Sequence, residues 1–182
     1  MNPDQYNQDE KKELLKIART TLKHKILEEK IYQPQMSNPK FLQKRGVFVT
    51  LHLNGQLRGC IGNIEPVKPL IEAVRDNAIA CAVEDPRFFP LTRNELAEVD
   101  IEISILTKPV PKTLDEIQPN IDGVILSKDG FTATFLPQVW QELSKKEDFL
   151  SHLCQKAGLE ANAWQDSDCQ FSCYQAIAFG EK

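Results

Sequence analysis

The 182-residue sequence holds no apolar run approaching the roughly 18 residues of a membrane-spanning helix. It also lacks a G-x-x-x-x-G-K-[ST] phosphate loop, a G-x-S-x-G elbow, an HExxH pair and a CxxC pair. Basic residues do not outnumber acidic ones: 22 Lys and Arg against 26 Asp and Glu leave a net charge of -4. A nucleic-acid backbone attracts the opposite balance, so nucleic acid is not an expected partner. Residues 1–12 show neither the basic start nor the apolar stretch of a signal peptide, which leads to the expectation of a cytoplasmic protein with no membrane attachment. Repeats, low-complexity runs and long linkers are missing too. The cysteines are odd in number and scattered, at Cys60, Cys81, Cys154, Cys169 and Cys173, a pattern that suits free thiols in a reducing compartment better than disulfides. No metal or cofactor is expected. Cys169 and Cys173, four apart on a strand, would stand about 13 Å apart at roughly 3.3 Å per residue, too far to clamp one ion.

What is present is an ordinary globular composition, 41% hydrophobic and 26% charged, in a chain long enough for a substantial core. The expected organisation is one domain over residues 1–182, with no visible boundary between any two lobes. Asn7 and Glu10 mark a helix start, and Leu14, Ala18, Leu22 and Ile26 recur at helical spacing, which predicts a helix over about 9–29. Two prolines make 33–39 a loop. Val47–Leu53 alternates at period two and runs into Asn54-Gly55, a two-residue turn signal, so a hairpin returns along Gln56–Ile61. Pro69 opens a second helix whose inner face is Ile71, Val74, Ala78 and Cys81. Thr92 with Glu95 caps a short turn between Leu91 and Leu96. Val99–Ile105 alternates as a half-buried strand with Asp100, Glu102 and Ser104 on one side. Thr113 with Glu116 caps another short helix. Val124–Leu126 and Phe131–Phe135 flank a second turn at Asp129-Gly130. A helix starts at Pro137, and another, capped by Ser144 and Glu147, ends at Gly158. Cys169–Phe179 is predicted as one last strand. Hairpins with non-alternating helices point to an α+β fold, an antiparallel-rich sheet with flanking helices.

The most unusual stretch is Leu57-Arg58-Gly59-Cys60-Ile61-Gly62-Asn63. Paired glycines in a strand mark a bulge or a close backbone approach. Successive amides there can converge on an anion, and Arg58 adds positive charge, conditions that favour a reactive thiolate at Cys60. A small cysteine packed beside bulge glycines is the competing reading. With an uninterrupted two-residue loop, Leu51 faces Arg58 and Val49 faces Cys60, which puts His52 on the other face; a bulge at Gly59 would reverse this. Glu102 is a candidate base or arginine partner, and Asp85 with Arg87 a bracing pair; for each the structural role competes with the functional one.

These residues carry a resemblance. Leu57–Gly62, with Gly46–Leu51 before it, is similar to the signature of the AmmeMemoRadiSam system protein A family, also called the AMMECR-one domain family. Glu84-Asp85-Pro86-Arg87-Phe88, Ile101–Leu106, Phe135–Val139 and Lys156–Leu159 match further motifs in the same order. Asn54-Gly55 departs from the frequent Asp-Gly but makes the same turn. The resemblance implies an α+β fold of two subdomains within one compact domain and a site around Cys60. It also implies a pathway shared with a Memo-like protein and a radical SAM enzyme, without supplying a reaction. Two expectations follow. One is an enzyme or enzyme component using Cys60 as nucleophile or redox thiol, with Glu102 or Asp85 moving protons and Arg58, Gly59, Ile61, Gly62 and Arg87 around a small anionic ligand. The other is a non-catalytic module that recognises a protein partner or small anion at the Arg58–Gly62 turn.

Overall fold

The computed structural model describes residues 5–35 and 38–181. Its fold is α+β, with two compact units: Met1–Leu106 joined by Ile177–Lys182, and Thr107–Ala176.

The first unit opens with helix α1 (Gln8–Glu28), held at its start by a capping box in which Asn7 and Glu10 satisfy each other's amides. Met36 and Ser37 of the predicted 33–39 loop lie outside the described residues. Strands β1 (Val47–Leu53) and β2 (Gln56–Asn63) form the expected hairpin, with Asn54 and Gly55 at φ 53° and 78°. Helix α2 (Leu70–Val83) follows, then strand β3 (Val99–Leu106). The chain's last strand, β8 (Ala176–Gly180), returns to complete a four-stranded sheet in the order β2-β1-β3-β8. Val47, Val49, Leu51, Ile101, Ile103 and Ile105 are buried in one cluster with Leu14, Ala18 and Leu22 of α1 and Ile71, Val74, Ala78 and Cys81 of α2. One face of the sheet therefore carries the core, and alternation sends Phe48, Thr50, His52, Asp100, Glu102 and Ser104, all half-buried, to the other.

The second unit holds strands β4 (Val110–Lys112), β5 (Gly123–Lys128), β6 (Phe131–Phe135) and β7 (Gln170–Tyr174), ordered β4-β7-β5-β6, with helix α3 (Lys146–Ala157). Trp140 stacks on Phe149 at the centre of its core, ring centroids 3.6 Å apart. Gly158 closes α3 at φ 83°, as its position suggests.

Three local expectations need correction. The predicted last strand is two strands in different sheets, broken at Gln175, because β7 pairs with β4 and β5 whereas β8 joins β3. Alternation along one segment cannot show that its partner changes midway. The segment after Pro137 is a 3-10 turn, and Lys145 rather than Ser144 precedes α3, with no side-chain cap. The hairpin register also differs: Leu53 pairs with Gln56 and His52 with Leu57, but Leu51 pairs with Gly59 and Thr50 with Cys60. Arg58 is the extra residue of a β-bulge, so every later residue of β2 faces the opposite way from an uninterrupted ladder.

Candidate functional site

The bulge decides where the thiol points. It places Cys60 opposite Thr50, on the sheet face away from the helices, and puts His52 on that same face. The Thr50 hydroxyl donates to Cys60 Sγ at 3.2 Å. Thr50 also pairs with Glu102 of β3, so Cys60, Thr50 and Glu102 form one cross-strand row. Glu102 is half-buried within it.

Strand β2 lies at the edge of its sheet, and edge residues carry unpaired backbone groups. At Cys60 the loop after α2 supplies the missing partners. Asp85 Oδ2 accepts the Cys60 amide at 2.9 Å, and Arg87 Nη2 donates to the Cys60 carbonyl at 3.1 Å. Arg87 is itself held by Asp85, through Nε to Oδ1 at 2.9 Å and Nη2 to Oδ2 at 2.7 Å, and its own amide donates to Oδ1 at 3.1 Å. Two side chains thus stand in for a neighbouring strand. The Asp85 side chain is 2% exposed and that of Arg87 54%. The Arg87 guanidinium, opposed by burial, holds the Asp85 carboxyl well below the usual carboxylate range. A carboxylate so engaged positions the backbone and is poorly suited to taking protons.

Arg58 has its own partner. Its Nε and Nη2 donate to the two carboxylate oxygens of Glu95 at 2.8 and 3.1 Å, and its side chain is 13% exposed. The bidentate pair holds Glu95 down at about 2, with Thr92 adding hydrogen bonds and burial opposing. A depressed carboxyl stabilises the fold fully above its unfolded value of about 4.3, and that contribution is lost as pH falls towards 2. Glu95→Gln should therefore cost about 1–2 kcal/mol at pH 7, the figure discounted for partial exposure, and less at pH 2.5. Thermal unfolding of both proteins across that range measures the difference, and an equal cost at both pH values would contradict it.

The ring of Phe88 is flanked by both guanidinium groups, Arg58 at 5.9 Å and Arg87 at 5.5 Å from its centroid. Its neighbour Phe89 is 90% exposed. The glycines on either side of Cys60 have different duties. Gly59 lies against the end of α2, where a Cβ would come within 2.3 Å of the Cys81 carbonyl oxygen. Gly62 lies under the Phe48 ring and the Val47 carbonyl.

The fold thus gathers Cys60, Asp85 and Arg87 into one bonded cluster, adds Glu102 through the Thr50 row, and assigns Arg58 to Glu95. Ile61 points with Gly59 towards the core. Thr50, Glu95 and Phe88 join the site in addition to the residues that the sequence marks. Thr50 was hidden by the uninterrupted register, and only the Thr92–Glu95 cap gave Glu95 any signal.

A family model described as AMMECR1 matches residues 15–179. A protein of Methanothermobacter thermautotrophicus is 39% identical over 184 residues, covering 96% of both chains. Protein Ta0236 of Thermoplasma acidophilum is also 39% identical, over 92% of this chain and 85% of its own. The crystal structure of the uncharacterized protein PH0010 from Pyrococcus horikoshii superposes with a TM-score of 0.79 at 35% identity, covering 93% of this chain and 90% of that one.

Proposed function

The chain belongs to the AMMECR1 family, and from that premise we propose that it is an enzyme or enzyme component whose working group is the Cys60 thiol. One observation carries the reading: a half-buried thiol whose backbone is clamped on both sides by Asp85 and Arg87 and whose sulfur receives the Thr50 hydroxyl. Such rigid placement is what a nucleophile or redox thiol requires. Glu102, next along the row, is the base in this reading, and the Thr50 hydroxyl, which donates to the sulfur, stabilises the thiolate left behind. The half-exposed Arg87 receives an anionic group of the substrate. The scattered free cysteines support a cytoplasmic setting, and the motif resemblance supports a pathway shared with a Memo-like protein and a radical SAM enzyme.

The other cysteines provide an internal control. Burial pushes Cys169 and Cys173 up to about 11 and Cys81 higher still, and it raises Cys154 as well. Brief iodoacetamide treatment at pH 7.5 should modify Cys60 first, read by peptide mass spectrometry. Labelling of Cys169 ahead of Cys60 would remove the basis for the proposal. Recovery from the native host should reveal a covalent adduct on Cys60 that is lost in Cys60→Ser.

A second reading, a non-catalytic module, is favoured by a different observation. Arg58 and the Cys60 amide are both occupied by carboxylates, whereas Phe89 stands almost wholly exposed beside them. An exposed aromatic suits a protein contact. Under that reading Phe89→Ala loses the partner and Cys60→Ser keeps it. The enzyme reading requires that Cys60→Ser abolish the activity while partner binding survives.

A further inference from the structure

Away from Cys60, α1 and the edge strand β8 enclose a groove of about 410 Å³ lined by Lys11, Lys12, Leu15, Lys16, Arg19 and Phe179–Glu181. Its charge is one-sided. Arg19 is neutralised by Glu181, but Lys12 and Lys16 form no ion pair with the described residues, and Lys11 Nζ lies 5.7 Å above the Phe179 ring. Four cations face one carboxylate, in a chain whose net charge is -4.

Among the described residues, the strand beside these lysines is paired on one side only. The Glu181 amide donates to Ile101 O and the Gln175 carbonyl accepts from Thr107, so the odd-numbered residues of this segment face β3. Ala178 and Gly180, both exposed, therefore turn their N–H and C=O outward. Lys11 lies by Phe179 and Arg19 by Glu181, so helix and strand run in the same sense. Lys12 and Lys16 are about 6 Å apart along α1 at 1.5 Å per residue. Alternate side chains of an extended chain repeat every 6.6–6.8 Å or so, nearly the same interval.

We propose that this groove binds an acidic peptide segment in extended form, added as a fifth strand to β8, with alternate carboxylates on Lys12 and Lys16. The backbone pairing supplies affinity and the lysine row selects for acidic residues. A single-stranded nucleic acid would meet the same cations, but the groove offers one aromatic ring rather than a stacking platform, and the outward carbonyls that alternate with the edge amides meet no N–H donors along a sugar-phosphate chain.

The test uses the full chain and a fluorescein-labelled octapeptide of alternating glutamate and valine, followed by fluorescence anisotropy. Binding should weaken at least tenfold in the double variant Lys12→Glu/Lys16→Glu. It should weaken similarly for Ala178→Pro, which removes an outward amide at a position where an edge strand tolerates proline. The same peptide N-methylated at alternate amides probes the backbone pairing without altering the protein, and it should also lose at least tenfold. Absence of binding, indifference to the lysine changes, or undiminished binding of the methylated peptide each overturns the proposal. So does equal or tighter binding of a thymidine oligonucleotide, which would show a site for polyanions in general.

Discussion

Gly59→Ala should be among the most damaging single-methyl changes available to this protein, lowering stability by about 3–5 kcal/mol. The added Cβ would fall 2.3 Å from the Cys81 carbonyl oxygen and 3.2 Å from its carbon. Both are backbone atoms of α2, so no side chain can rotate aside to make room. Relief demands that β2 and α2 separate, and α2 contributes Ile71, Val74, Ala78 and Cys81 to the unit's core. Thermal unfolding should show a midpoint lower by roughly 10–20 °C, taking about 4 °C per kcal/mol for a unit of this size. A midpoint within two degrees of the parent would refute the close-contact explanation of this glycine. The change also tests the site, because a displaced β2 carries Cys60 away from Thr50 and from the Asp85–Arg87 clamp.

Asp85→Ala should have the second largest effect, about 2–4 kcal/mol, together with altered labelling of Cys60. Removal of the carboxylate leaves the Cys60 amide without an acceptor and the Arg87 guanidinium without its partner. Arg87 is half-exposed and recovers water, which keeps the cost below that of breaking a fully buried pair. Arg87→Ala is the more instructive control, since it strands a carboxylate that is 2% exposed. The double variant should be less destabilised than the sum of the single changes, with a coupling of about 1–3 kcal/mol. Additive costs would show that the two side chains do not act as one clamp. The pH dependence has a definite sign: the depressed Asp85 carboxyl stabilises the fold above about pH 4, and the benefit is lost at lower pH. Asp85→Asn should lose that acid-dependent part while keeping an acceptor for the Cys60 amide.

Much of the architecture was legible in the residues because the signals were local. The Asn7–Glu10 capping box, the Asn54-Gly55 turn, the second turn at Asp129-Gly130 and the stop at Gly158 each depend on a few adjacent residues, and each occurs where its chemistry predicts. The importance of the Arg58–Gly62 stretch was also legible, since two glycines within a strand need a reason. Its geometry was not. A single extra residue at Arg58 reverses the facing of everything after it, and the decision between bulge and regular ladder belongs to the contacts β2 makes with α2 and the loop beyond.

The sequence by itself determined the α+β class, the capped first helix and the two hairpins, because periodicity, turns and caps are written over short spans. Only the tertiary structure decided that the last extended segment serves two sheets, that Arg58 is held by Glu95, and that Asp85 and Arg87 replace a strand at Cys60. Those outcomes depend on groups 25 or more positions apart competing for the same unpaired donors and acceptors. That competition is resolved when the chain closes on itself, and no local pattern records its winner.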